Sequence, residues 1–151
     1  MKQTKEHEET DMHPFHLAFP VSDLEATRQF YIQKLGCTLG RESPGHWLDF
    51  DLFGHQMSAH LQTPVTKVSP QGSAVDGDTV PIPHFGVILD PTTFNELAEK
   101  LDADEHTDWI LRPKRRLVGE PGEQSTMFVR DPSGNGLEFK AFADPAAVFA
   151  K

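Results

Sequence analysis

A single cysteine, Cys37, excludes an internal disulfide. No apolar run is long enough to span a bilayer, and the opening Met1–Glu9 stretch carries charge where a signal peptide needs an apolar core, so a cytoplasmic protein without membrane association is expected. Positive charge is scarce too: 14 Lys and Arg stand against 23 Asp and Glu, a formal net charge of -9. A polyanion is repelled by such a surface, and no basic stripe interleaved with aromatics offsets this, so nucleic acid is excluded as a partner. Tyrosine occurs once, at Tyr31.

What the chain does have is length enough for one buried core and a weak internal duplication. Pro14-Phe15-His16-Leu17-Ala18-Phe19 and Ile82-Pro83-His84-Phe85-Gly86-Val87 are both strand-like with an early histidine, and each precedes a helix start. Capping boxes are expected at Ser22 with Glu25 and at Thr93 with Glu96. Leu24, Phe30, Tyr31 and Leu35 share one helix face, and Phe94, Leu97, Ala98 and Leu101 another, with Gly36 stopping the first helix. Three short strands follow each helix: Cys37–Arg41, His46–Asp51 and Gln56–Leu61, then Trp109–Arg112, Thr126–Arg130 and Leu137–Phe142. The turn Asp51-Leu52-Phe53-Gly54 matches Asp131-Pro132-Ser133-Gly134.

The pattern predicts an α+β fold of two βαβββ modules in a pseudo-twofold arrangement, forming a curved, partly open mixed sheet around a cavity. A flexible tail covers 1–12 and one domain covers 13–151, divided into module one (about 13–62), a linker (63–81) and module two (about 82–143). The second copy is longer, which predicts a loop over Pro113–Gln124 that holds the only dense basic cluster, including Lys114 and Arg115. Long loops in compact domains are often lids. Lys114 and Arg115 are therefore candidates to bind an anionic substrate, against the ordinary alternative of a solvated charge run.

Two strands that start with a histidine at matched positions aim both imidazoles at the central space, where neutral imidazole ligates Fe, Ni, Zn or Cu. Glu138 alternates with Leu137 and Phe139, so its carboxylate faces away from the apolar side. His16, His84 and Glu138 make a facial triad with open positions, the pattern of non-haem Fe(II) chemistry. Aligning Gly54 with Gly134 puts Ser58 opposite Glu138, so module one lacks the matching carboxylate. His60 lies two residues beyond on the same face, as a fourth ligand or an acid/base. His46, His55 and Gln56 sit at or beside turns; His7 and His13 belong to or flank the tail.

From Phe15 to Phe142 the chain resembles the vicinal oxygen chelate superfamily, which includes glyoxalase I, extradiol dioxygenases, epimerases and bleomycin-resistance proteins. The resemblance rests on His16 with Val21-Ser22-Asp23-Leu24, Phe30-Tyr31 and Leu35-Gly36, on His84, and on the string Phe128-Val129-Arg130-Asp131-Pro132-Ser133-Gly134-Asn135-Gly136-Leu137-Glu138-Phe139. It implies a divalent metal, Fe(II) first with Mn, Ni or Zn as alternatives, acting on a small molecule with two vicinal oxygens. Extradiol ring cleavage is the first expectation, with His60 as acid/base and Ser58, Phe128, Lys114 and Arg115 toward substrate. Phe128 stands nearest a position where such enzymes usually carry tyrosine. A glyoxalase-like lyase or isomerase is the alternative, weakened by Ser58 in place of a carboxylate. A drug-sequestering bleomycin-resistance-type protein is the third. A homodimer is expected, with the site closed within one chain or across the dimer.

Overall fold

The computed structural model describes residues 12–64 and 72–151. The expected tail lies outside these residues apart from Met12, as does His7. Module one runs β1 (His16–Val21), α1 (Leu24–Arg28) continued by a π-helical turn (Gln29–Lys34), β2 (Thr38–Ser43), β3 (Trp47–Leu52) and β4 (His55–Leu61). A small hairpin follows, β5 (Ser73–Val75) and β6 (Asp78–Val80). Module two is β7 (His84–Leu89), α2 (Pro91–Asp102), β8 (Trp109–Arg116), β9 (Gln124–Arg130) and β10 (Gly136–Phe142), and a 3₁₀ turn, Pro145–Phe149, ends the chain. No helix among the described residues is long and apolar enough to cross a membrane.

The two four-stranded sheets have the same order, β1-β4-β3-β2 and β7-β10-β9-β8. In each, the first strand pairs parallel with the last and the other pairs are antiparallel. The parallel pair follows from chemistry on one side only: Leu17, Phe19 and Val21 turn inward while His16, Ala18 and Pro20 turn away, and the intervening helix covers the apolar side. Buried side chains from both modules join in one apolar cluster, in which Phe19 meets Phe85 at 5.1 Å and Tyr31 stacks on Phe50 at 4.5 Å.

Polar bonds fasten the modules at the turn after β9. The Tyr31 hydroxyl donates to Asp131 Oδ2 at 2.8 Å, Asn135 Nδ2 donates to the Pro20 carbonyl at 3.0 Å, and Ser22 N–H donates to Ser133 Oγ at 2.9 Å. Burial pushes the Asp131 carboxyl above its usual range, although Asn135, Tyr31 and Ser133 donate hydrogen bonds that oppose this. Burial likewise pushes the Cys37 thiol up to about 12.

Several local expectations are corrected. Asp23, not Ser22, caps α1 by accepting from Ala26 N, and Asp90, not Thr93, caps α2, because Pro91 at the first helical position starts that helix earlier. The turns also differ: β3 extends through Leu52, leaving Phe53-Gly54 as a two-residue connection with positive φ at both, whereas residues 131–135 separate β9 from β10. The basic cluster lies on a strand, because β8 continues to Arg116 and pairs with β9 as far as Gln124. The linker, finally, contains a hairpin turned by Asp76-Gly77, both at positive φ.

Candidate metal and substrate site

Strand register places the functional side chains. His84 lies opposite Gly136 and Gly86 opposite Glu138, so His84 and Glu138 share a face, two residues apart along the paired strands. In module one His16 lies opposite Gln56 and Ala18 opposite Ser58. Ser58 therefore occupies the position of Glu138, as the sequence alignment had it. Across the next strand Asp49 takes the place of Phe128, Trp47 that of Thr126, and His60 that of Lys140.

Module two turns these positions into a cavity of about 130 Å³ lined by His84, Glu138, Phe128, Thr126, Lys140, Gln124 and Arg116, with Val75 and Val80 contributed by the hairpin. Glu138 is 8% exposed, while its neighbours Leu137 and Phe139 are fully buried on the opposite face. Lys140 Nζ stands 3.2 Å from Glu138 Oε1 and keeps the carboxylate from being a lone buried charge. His84 Nδ1 lies 2.6 Å from the Pro81 carbonyl oxygen. A carbonyl only accepts, so Nδ1 carries a proton, which in the neutral imidazole leaves the lone pair on Nε2, the arrangement a histidine ligand needs. Phe128 meets the imidazole edge to face at 4.9 Å.

Module one's matching face is open. His16 and His60 are exposed, His60 lies 6.3 Å from the Trp47 ring, and neither lines the cavity. Ser58 is buried and donates to Asp49 Oδ1 at 2.5 Å. Asp49 thus supplies a carboxylate one strand away from where the alignment looked for it. Its alternation with Leu48 and Phe50 was the signal available in the sequence.

The structure therefore brings two of the three expected ligands together. An imidazole with its proton fixed and a buried carboxylate suit a divalent cation, but no group of three or more His, Cys, Asp or Glu that could hold one occurs among the described residues of a single chain. His16 stays on the other sheet. Of the expected substrate contacts, Phe128 lines this cavity, whereas Ser58, Lys114 and Arg115 do not. Lys114 Nζ pairs with Asp78 Oδ2 at 2.5 Å, and Arg115, on the opposite side of β8, stands 3.8 Å from Glu123. Arg116, the last residue of the basic run Lys114–Arg116 that the sequence offered as a candidate contact for an anionic substrate, is the arginine that reaches the cavity.

The model of the Glyoxalase/Bleomycin resistance protein/Dioxygenase superfamily matches residues 13–139. The chain belongs to that superfamily. A crystal structure of a glyoxalase/bleomycin resistance protein/dioxygenase from Alicyclobacillus acidocaldarius is 31% identical, with a TM-score of 0.70 over 90% of this chain and 96% of that one. Lactoylglutathione lyase from Agrobacterium tumefaciens (16% identical, TM-score 0.59, 85% of this chain and 92% of that one) shares the fold. So does a genomically encoded fosfomycin resistance protein from Listeria monocytogenes (15%, 0.63, 90% and 97%). At these last two identities the likeness is one of fold alone. No curated protein matches the sequence.

Proposed function

We propose that this superfamily member is a divalent-metal-dependent enzyme for a small molecule with two vicinal oxygens, its site completed across a homodimer. His84 and Glu138 would come from one protomer and His16 from the second copy. The observation that carries the proposal is the His84 imidazole, whose Nδ1–H is committed to Pro81 and which lines a cavity together with a buried carboxylate, Glu138. An exposed His16 at the matched position of the other module supplies the third donor when a second copy presents that face. C2 pairing makes two such sites per dimer.

Fe(II) is the metal placed first, with Mn, Ni or Zn as alternatives, and extradiol ring cleavage the reaction placed first. Three protein ligands leave positions where such a metal would bring a catecholate and dioxygen together. Phe128 offers an apolar wall beside His84, and His60, on the same face as His16, is an accessible base for a substrate hydroxyl. One observation favours a second reaction, lyase- or isomerase-type proton transfer: Asp49, hydrogen-bonded to Ser58, restores a carboxylate to module one's face.

Elemental content of anaerobically purified protein, followed by oxygen uptake with catechols, separates the two. Stoichiometric iron with catechol-dependent uptake supports ring cleavage; nickel or zinc without uptake supports proton transfer. Protein purified without metal and unable to take it up defeats both and leaves a binding protein. Mixing His16→Ala with Glu138→Ala chains tests the shared site. Re-assorted dimers regain metal at about a quarter of the sites if ligands come from two chains, and regain none if they come from one.

A further inference from the structure

Among the described residues three buried side-chain polar atoms lack a hydrogen-bond partner: Arg116 Nε, Arg116 Nη2 and Thr126 Oγ1. All three belong to residues lining the cavity that holds His84 and Glu138. Buried donors are normally satisfied, and those that are not call for a ligand or a water. Arg116 is the more demanding, since its side chain is only 8% exposed and cannot lose its charge.

Its surroundings leave Nε and Nη2 without a hydrogen-bond acceptor. The β5–β6 hairpin approaches from one side, with Asp76 Oδ2 accepting from Nη1 at 3.4 Å and Asp78 Oδ2 at 3.7 Å from Nη2, within ion-pair range but making no hydrogen bond. The second Asp78 contact is weakened further because the same oxygen takes the Lys114 ammonium at 2.5 Å. What remains is the guanidinium side formed by Nε–H and Nη2–H, two parallel donors spaced for the two oxygens of a carboxylate. The Thr126 hydroxyl adds a third donor from β9, and Val75, Val80 and Phe128 give the cavity apolar walls.

We infer that Arg116 and Thr126 form a receptor for a carboxylate group on the substrate. Resting on the proposed function, this narrows the substrate class to small molecules that carry a carboxylate at one end and two vicinal oxygens at the other. It also accounts for how a protein of net charge -9 would accept an anion: Arg116 and Lys140 line the cavity, and the hairpin carboxylates leave Arg116 Nε and Nη2 without a hydrogen-bond acceptor.

The test has two arms. In the first, the metal-free full chain is titrated with benzoate, with neutral benzamide and with inorganic phosphate while the arginine Nε–H resonances are followed by NMR. The Arg116 signal is assigned by its absence in Arg116→Lys. Benzoate is expected to shift it saturably and benzamide is not, with Thr126→Val weakening the effect. No saturable shift overturns the inference, and tighter binding of phosphate than of benzoate overturns the carboxylate assignment.

In the second arm, zinc-loaded protein is titrated with 3,4-dihydroxybenzoate and with catechol. The carboxylated compound is expected to bind about 10- to 100-fold more tightly. That preference should vanish in Arg116→Gln and Arg116→Lys while catechol affinity stays the same. Equal affinities in the unsubstituted chain overturn the inference. If benzoate binds at Arg116 but neither catechol binds the metal-loaded protein, the carboxylate receptor stands and the vicinal-oxygen function falls.

Discussion

The two modules have the same strand order and the same pairing of first strand with last, yet they present opposite kinds of surface. Module two encloses its face: a hairpin lies over it, Glu138 and Phe128 are buried, and a lysine and an arginine turn inward. Module one leaves its face bare, with His16 and His60 exposed and a single polar pair, Ser58 and Asp49, at its middle. The backbone repeats while the chemistry does not. Duplication provides matched positions, and the side chains at them set the copies apart: one builds a pocket and the other leaves its histidines exposed.

The strongest test of that division is at the matched pair 138 and 58. Glu138→Ala is expected to lower metal affinity by at least about 100-fold, more than loss of an outer partner usually costs. Ser58→Ala should leave metal content unchanged. Elemental analysis of both variants checks this, and full occupancy in Glu138→Ala would remove that residue from the ligand set.

The pair 86 and 18 comes next. A Cβ built on Gly86 falls 1.5 Å from the Glu138 carbonyl oxygen, so β7 and β10 approach where only glycine fits. Gly86→Ala should cost about 3 kcal/mol or more. Ala18→Gly, at the equivalent place in module one, should cost about 0.5–1 kcal/mol. Denaturant unfolding measures both, and similar losses would show that the two strand pairs are packed alike.

A third effect concerns the clasp between the modules. Asp131's folded pKa is raised, so its contribution to stability is greatest below the unfolded carboxylate value, about 4, and is lost as pH rises through the folded value. The stability advantage of the natural chain over Asp131→Asn should therefore shrink between acid and neutral pH. An advantage that grows with pH would reverse the assignment. The smallest effect is expected at the hairpin: Asp78→Ala should change global stability by no more than about 1 kcal/mol, because its pair with Lys114 is partly exposed and the buried Arg116 keeps Asp76 as a partner. Hydrogen exchange in Ser73–Val75 should nonetheless quicken; unchanged protection would mean that the ion pairs do not hold the hairpin.

The modules were legible because period-two alternation and a repeated histidine survive in one sequence, and His84, Glu138 and Ser58 fell where that repeat put them. Alternation in Trp109–Arg112 was legible too, but strand pairing beyond Pro113 was not. Proline at an edge strand reads as a stop, and the bulges between Trp109 and Lys114 break the period ahead of Arg116, so which of the basic side chains turned inward was not legible. Asp76-Gly77 carried a hairpin signal that the surrounding Pro, Gly and Ser concealed. Whether His16 meets His84 depends on how faces are brought together, and local pattern says nothing about that.

The Pro81 carbonyl has a consequence for how this site changes over generations. It fixes the proton on His84 with a main-chain atom, and no substitution of a side chain can delete a main-chain oxygen. Side chains such as Arg116, Thr126 and Phe128 can be exchanged while the imidazole keeps its orientation and its Nδ1 proton. A centre wired in this way is robust at its root and free to vary at its rim.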